Sequence, residues 1–158
     1  MMRTVLFGMG AAALLAAATL VAPSQAGAEQ TEIVKERVAM MKEIGAALKP
    51  IGAMAKGEQA VDTNVVVASA VAIEGYAAKI PEMFPDTAES REGETRALPA
   101  IWEKWDEFVA GAKALEMAAV AASGAASDGL DQAGLQPIAA RMGQSCAGCH
   151  RPFRGPAN

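Results

Sequence analysis

The sequence predicts an all-α fold, an up-down-up-down antiparallel bundle of four helices. Three observations predict it: four segments carry apolar residues every three or four positions, no segment shows the two-residue alternation of a half-buried strand, and most connections are short. The N-terminus stands apart from this pattern. Arg3 supplies a charged start, the run from Val5 to Val21 is apolar and alanine-rich, and Ala26-Gly27-Ala28 has the small residues of a cleavage site. Residues 1–28 therefore read as a cleaved secretory signal, with no stable membrane insertion after its removal. The mature chain is expected to begin near Glu29. Of 158 residues this leaves 130 (29–158), enough for one hydrophobic core and too few for two.

The first helix is predicted from about Thr31 to Lys56, with Val34, Val38, Met41, Gly45, Leu48 and Ile51 on its apolar stripe and Pro50 expected to kink or divide it. The second begins near Asn64, a suitable N-cap, and aligns Val66, Ala70, Ile73, Ala77 and Ile80 on one face. Val65-Val66-Val67 also fits a short buried strand, but the span and its alanines suit a helix better. From Pro81 to Leu98 the pattern breaks into Phe84-Pro85-Asp86 and the polar run Glu89 to Arg96. A connection of that length either packs over a bound group or is a solvated crossover.

The third helix is predicted to start at Pro99 and to carry Ile101, Trp105, Phe108, Ala112, Leu115 and Ala119 on its stripe. Of Trp102 and Trp105, one is expected in the core and the other beside the bound group. Ser123 to Gly129 reads as a turn. The last helix runs from about Asp131 to Arg154, and Pro137 either bends it or marks its first turn.

That last helix carries the most specific signal in the chain, Cys146-Ala147-Gly148-Cys149-His150. Two thiols one helical turn apart, followed by an imidazole, can bond to one porphyrin and ligate its iron from beneath, so the motif reads as covalent attachment of one haem c with His150 proximal. Cys-x-x-Cys also serves thiol exchange, but there it usually opens a helix after a strand. A structural zinc site needs four Cys or His ligands, and the chain has two cysteines and one histidine. With a single histidine, the other face of the iron is left to methionine, lysine, an exogenous ligand or nothing. Two cysteines so close also offer no disulfide framework. Thioether-bound haem points instead to an exported, periplasmic protein.

The chain has 14 basic and 18 acidic residues, and the signal segment holds only Arg3 of these, leaving 13 against 18 and a formal charge of −5 on the mature chain. There is no basic footprint for nucleic acid, and by net charge a charged partner is expected to be cationic. Aromatic residues are only 4%, so alanine-mediated close approach and a buried porphyrin are expected to fill the interior.

With these features in place, the chain resembles the cytochrome c′ family, including its low-spin methionine-ligated relatives. Glu36-Arg37 with Met41-Lys42, Met54 to Glu58, Phe84-Pro85, Thr95 to Trp102, and Cys146 to Arg154 carry the resemblance across the mature chain. It implies that Cys146 and Cys149 hold the haem, that Arg37 lies near a propionate, that Thr95 passes the haem edge and that Arg154 flanks the proximal face. It places Met41 at the distal position, where a methionine either binds the iron or packs over it. Two readings follow. The first is a periplasmic one-electron carrier with His/Met iron, serving redox partner proteins. The second is a five-coordinate protein that binds diatomic gases such as nitric oxide or carbon monoxide. A haem-free thiol module ranks below both. No second cofactor motif or catalytic constellation accompanies the haem motif, so no enzyme activity is expected. The resemblance also implies a homodimer.

Overall fold

The structure is a computed structural model and describes residues 30–156; the secretory-signal reading of residues 1–28 lies outside the described residues. Four long helices form the bundle: α1 (Glu32–Ala55), α2 (Thr63–Lys79), α5 (Trp105–Ser127) and α6 (Gln132–Phe153). Between α2 and α5 the chain makes a 3₁₀ turn (Pro81–Met83) and two single-turn helices, α3 (Ala88–Arg91) and α4 (Ala100–Glu103). The long helices pack in a ring in which α1 touches α2 and α6, and α5 touches α2 and α6. Among the described residues there are no strands, only an isolated antiparallel bridge between Ala97 and Arg154.

Alanine explains the closeness of α2 and α5. Ala70 and Ala77 on one side and Ala112, Ala118, Ala119, Ala122 and Ala126 on the other are all buried, so the backbones approach with little side chain between them. The larger core residues Ile51, Met54, Ile73, Leu135 and Met142 fill the space where α1 and α6 close the ring. By length and composition α5 is apolar enough to cross a membrane. In the bundle its stripe from Phe108 to Ala126 is core.

Most elements lie where the periodicity placed them, and the departures have local causes. Pro50 does not divide α1, because Ile51, Met54 and Ala55 beyond it are buried and hold the final turn despite the missing hydrogen bond. The buried stripe of α1 is Val34, Arg37, Met40, Ile44 and Ile51; Val38 and Gly45 are exposed. A buried arginine in that stripe is what a reading from apolar spacing alone passes over. The cap of α2 is Asp62 rather than Asn64: its carboxylate accepts from Asn64 N at 2.9 Å and Val65 N at 3.3 Å. The Val65 to Val67 segment is helical. Lys104, at φ −126° and ψ 48°, separates α4 from α5, so the expected third helix is two pieces and Trp105 is 36% exposed instead of on the stripe.

The Ser123 to Gly129 segment is mostly helix rather than turn, because Ala122 and Ala126 are buried and the Ser123 and Ser127 hydroxyls donate to carbonyls one turn back. At the start of α6 the Asp131 carboxylate accepts from Gly134 N at 2.8 Å, and the helix continues through Pro137 to Phe153.

Two glycines of α1 and its exit turn should respond oppositely to one substitution. Gly57 has φ 77°, and an added Cβ would lie 2.6 Å from Gln132 Nε2, whereas a Cβ at mid-helical Gly45 meets nothing within 4 Å. Gly57→Ala should lower the unfolding free energy in urea by about 1–2 kcal/mol, and Gly45→Ala should raise it by about 0.5–1 kcal/mol. Equal effects of one sign would contradict this account of the turn.

Candidate functional site

The last two turns of α6 deliver Cys149 and His150 to the wall of a cavity of about 610 Å³, to which α1 contributes Arg37, Val38, Met41 and Lys42. The crossover closes it with Glu94, Thr95, Arg96 and Ala97, and its apolar floor is Phe84, Ile101, Phe108 and Phe153. Met41, Thr95, Cys149, His150, Arg37 and Arg154 therefore border a single cavity. Cys146 is not part of its lining, but is half-buried and packs against the same core as Cys149.

The electrostatics separate the possible chemistries. Burial pushes both thiols up, and Cys149 is raised further by Cys146 beside it. A thiol serving exchange has its pKa lowered, so these two are poorly suited to that role. His150 is lowered, first by burial and then by the charges of Arg154 and Arg96, which keeps the imidazole neutral and its lone pair available to a metal. Arg154 Nη1 lies 3.4 Å from His150 Nδ1, which places a guanidinium directly beside the imidazole.

Arg37 is 5% exposed and has no carboxylate partner among the described residues. Its Nε and Nη2 donate to Met83 O at 3.1 and 2.8 Å, Nη2 donates to Ser90 Oγ at 2.7 Å, and Nη1 reaches Ser90 O and Thr95 Oγ1, both at 3.4 Å. The guanidinium also lies 3.8 Å over the Phe84 ring. Burial pushes its pKa down to about 10, which leaves it charged at neutral pH. Its donors are thus directed at the crossover, and a propionate contact would have to share them.

The crossover is fastened at its other end too. Arg96 donates through Nε and Nη2 to Gly155 O at 2.9 and 2.6 Å, Gly155 N donates to Arg96 O at 2.8 Å, and Leu98 N donates to Phe153 O at 3.0 Å. The tail just beyond His150 is thereby tied to the segment that closes the cavity.

Neither tryptophan lines the cavity. Trp102 donates through Nε1 to Phe84 O at 3.0 Å and braces the crossover from behind, and Trp105 is exposed at the break before α5. The aromatic contacts to the cavity come instead from Phe84, Phe108 and Phe153, with Phe108 4.8 Å from Phe84 and 5.4 Å from Phe153 in edge-on contacts. Gly111 is a second feature the sequence reading passed over. A Cβ there would sit 3.4 Å from Cys149 Cβ, so the glycine opens room on α5 opposite the second thiol. Phe108 was legible as a stripe residue; Gly111 gave no signal, because its meaning lies in a helix forty residues away.

The residues present fit a haem. Two interior-facing sulfurs one turn apart, a neutral imidazole beside them, a thioether in the cavity lining, an apolar aromatic floor and the cations Lys42, Arg96 and Arg154 at the rim match a flat apolar macrocycle that bears two carboxylates.

Comparison with known proteins agrees. The family described as Cytochrome C′ matches residues 32–154. A cytochrome c′ of Rhodopseudomonas palustris (strain ATCC BAA-98 / CGA009) is 39% identical over 128 residues, covering 79% of this chain and 83% of the relative. A cytochrome c-556 of Agrobacterium tumefaciens (strain II Chrys) is 35% identical over 121 residues, 77% of this chain and 95% of the relative. The solved structure of cytochrome c′ from Rhodopseudomonas palustris superposes with a TM-score of 0.73 at 37% identity, covering 82% of this chain and all of that one.

Arg37→Leu should lower holoprotein stability by about 3 kcal/mol in urea unfolding, since two carbonyl and two hydroxyl acceptors in the crossover lose a charged donor. Arg37→Lys, which cannot serve all of them at once, should recover only part. A loss below about 1 kcal/mol would mean that the crossover is held by other contacts.

Proposed function

Because the chain belongs to the cytochrome c′ family, a family of c-type haem proteins that carry electrons or bind gases, we propose that it is a periplasmic one-electron carrier with His150 and Met41 on opposite faces of the iron. The observation that supports this reading is that α6 and α1 bring the imidazole and the thioether to the lining of one cavity. Cys146 and Cys149 supply the two sulfurs for attachment. The bound haem supplies an iron that changes oxidation state by one electron.

The rest follows from what the residues do. A methionine sulfur is a soft neutral donor that favours the ferrous state and raises the potential. Phe84, Ile101, Phe108 and Phe153 keep water from the interior side, and Arg96 and Arg154 hold positive charge at the mouth, where carboxylates belong. Arg37 and Thr95 fix the crossover that closes the cavity, a role the hydrogen bonds support more directly than a propionate contact. With His150 assigned to the iron, no other histidine remains to act as the usual general base.

The gas-binding reading has an observation of its own. Val38 and Met41 are the two uncharged α1 residues in the cavity lining, so a Met41 that stands aside leaves an apolar stretch of wall beside a diatomic ligand. The visible spectrum separates the two. Wild-type protein should be low-spin in both oxidation states and unresponsive to carbon monoxide, and Met41→Ala should become high-spin and bind carbon monoxide when reduced. A high-spin, carbon monoxide-binding wild type unchanged by Met41→Ala would assign the protein to gas binding.

Export is supported by the apolar leader and its small-residue site. Intact mass of the protein recovered from the periplasm should correspond to a chain starting near Glu29 with one haem added. A full-length mass in the membrane fraction would replace the signal with an anchor.

A further inference from the structure

The chain is acidic, but its charge is unevenly placed. α1, α6 and Arg154 together hold seven basic and three acidic residues, a balance of +4; the remaining six basic and fifteen acidic residues leave the rest of the mature chain at −9. α6 contains no acidic residue at all. Along α1 the lysines recur every seventh residue at Lys35, Lys42 and Lys49, and Lys56 follows as its C-cap. Seven residues are close to two turns, so these lysines stand in one line at intervals of about 10 Å.

Among the described residues Lys42, Lys49 and Arg151 enter no ion pair, and all three are exposed. Intramolecular pairing therefore does not account for them. Lys42 also lines the cavity mouth with exposed Arg96 and Arg154, against the single acid Glu94. Even with the two carboxylates a haem brings, the balance of this flank is +2 against −9 elsewhere on the mature chain.

We infer that the α1–α6 flank around the cavity mouth is a docking face for an acidic patch on a redox partner protein. This reverses the expectation from net charge, and it rests on the electron-carrier reading above. Charge complementarity selects the occupant: a partner with Asp and Glu around its own redox centre is drawn to the flank where the cavity opens and repelled by the rest of the surface, so encounters are oriented toward the shortest electron path. An anionic membrane is the less fitting occupant. Val38 is the one large apolar residue exposed on these two helices, while Val65, Val71, Trp105, Met117 and Val120 are on α2 and α5. The basic flank thus lacks the apolar groups that would anchor it in lipid.

The test is stopped-flow oxidation of the ferrous holoprotein by ferricyanide, an anionic outer-sphere oxidant; one electron passes, giving ferric protein and ferrocyanide. Despite the negative net charge, the rate should fall about tenfold as salt rises from about 10 mM to about 500 mM, because the local field governs approach. Lys49→Glu/Arg151→Glu, at positions outside the cavity lining, should abolish or invert that dependence with the visible spectrum unchanged. Lys79→Glu/Lys113→Glu, the same charge change on α2 and α5, should leave it as in the wild type. A wild-type rate that rises with salt, or equal effects of the two double variants, would overturn the docking face while leaving the carrier intact. No oxidation at all would remove the carrier reading itself. Co-sedimentation with vesicles of phosphatidylcholine and phosphatidylglycerol at about 150 mM salt, lost in Lys49→Glu/Arg151→Glu, would replace the protein partner with a membrane surface.

Discussion

The buried guanidinium of Arg37 is the interaction on which the site depends. A cation this enclosed without a carboxylate is costly, and it is tolerated because the crossover offers it two backbone carbonyls and two hydroxyls, with the Phe84 face beneath. The reverse dependence is equally strong. Residues 81–98 hold only a 3₁₀ turn and one single-turn helix, too little internal structure to set their own path, and Arg37 gathers Met83, Ser90 and Thr95 around a single point on α1. A segment that a bundle could carry as a solvated loop is thereby turned into the lid of the cavity.

The second fastening, between Arg96 and Gly155, complements the first. Arg37 ties the crossover to the helix that presents Met41, and the Ala97–Arg154 bridge ties it to the tail of the helix that presents His150. The two walls of the cavity are therefore held in relation by the same short segment, in addition to the direct packing of α1 on α6. This matters for a carrier because the less the ligand-bearing helices shift between oxidation states, the smaller the rearrangement that accompanies each electron.

Much of this was legible in the sequence, and what was not has a common cause. The apolar spacing gave four helices, and Cys146 to His150 gave the cofactor, because both signals are local. The α2 stripe from Val66 to Ile80 was right in every residue. On α1 the stripe was displaced, because a charged residue in the core is invisible to a rule that seeks apolar ones, and including Arg37 shifts the buried face by one residue. Trp105 was misplaced because the chain breaks at Lys104 immediately before it, while Phe108, Ala112, Leu115 and Ala119 keep to the expected stripe, and a break inside a continuous apolar pattern leaves no mark in composition. The roles of Arg96 and Gly111 depend on residues brought near by folding, so spacing along the chain had no access to them.

The displaced stripe bears on the ligand question. Met40 and Met41 are neighbours in sequence and point about 100° apart on the helix, so only one can face the iron. Met40 is 8% exposed in the core cluster, and Val34, Arg37 and Ile44 are buried with it, which fixes the rotation of α1 about its own axis. Met41 is directed into the cavity as a consequence of that packing and not of any bond to a metal. A thioether aimed in advance loses little freedom on binding iron beyond its own side-chain rotamers, whereas one recruited from solvent would have to order a helix as well. The core of the bundle, through the single position of Arg37, thus decides which of the two methionines borders the cavity.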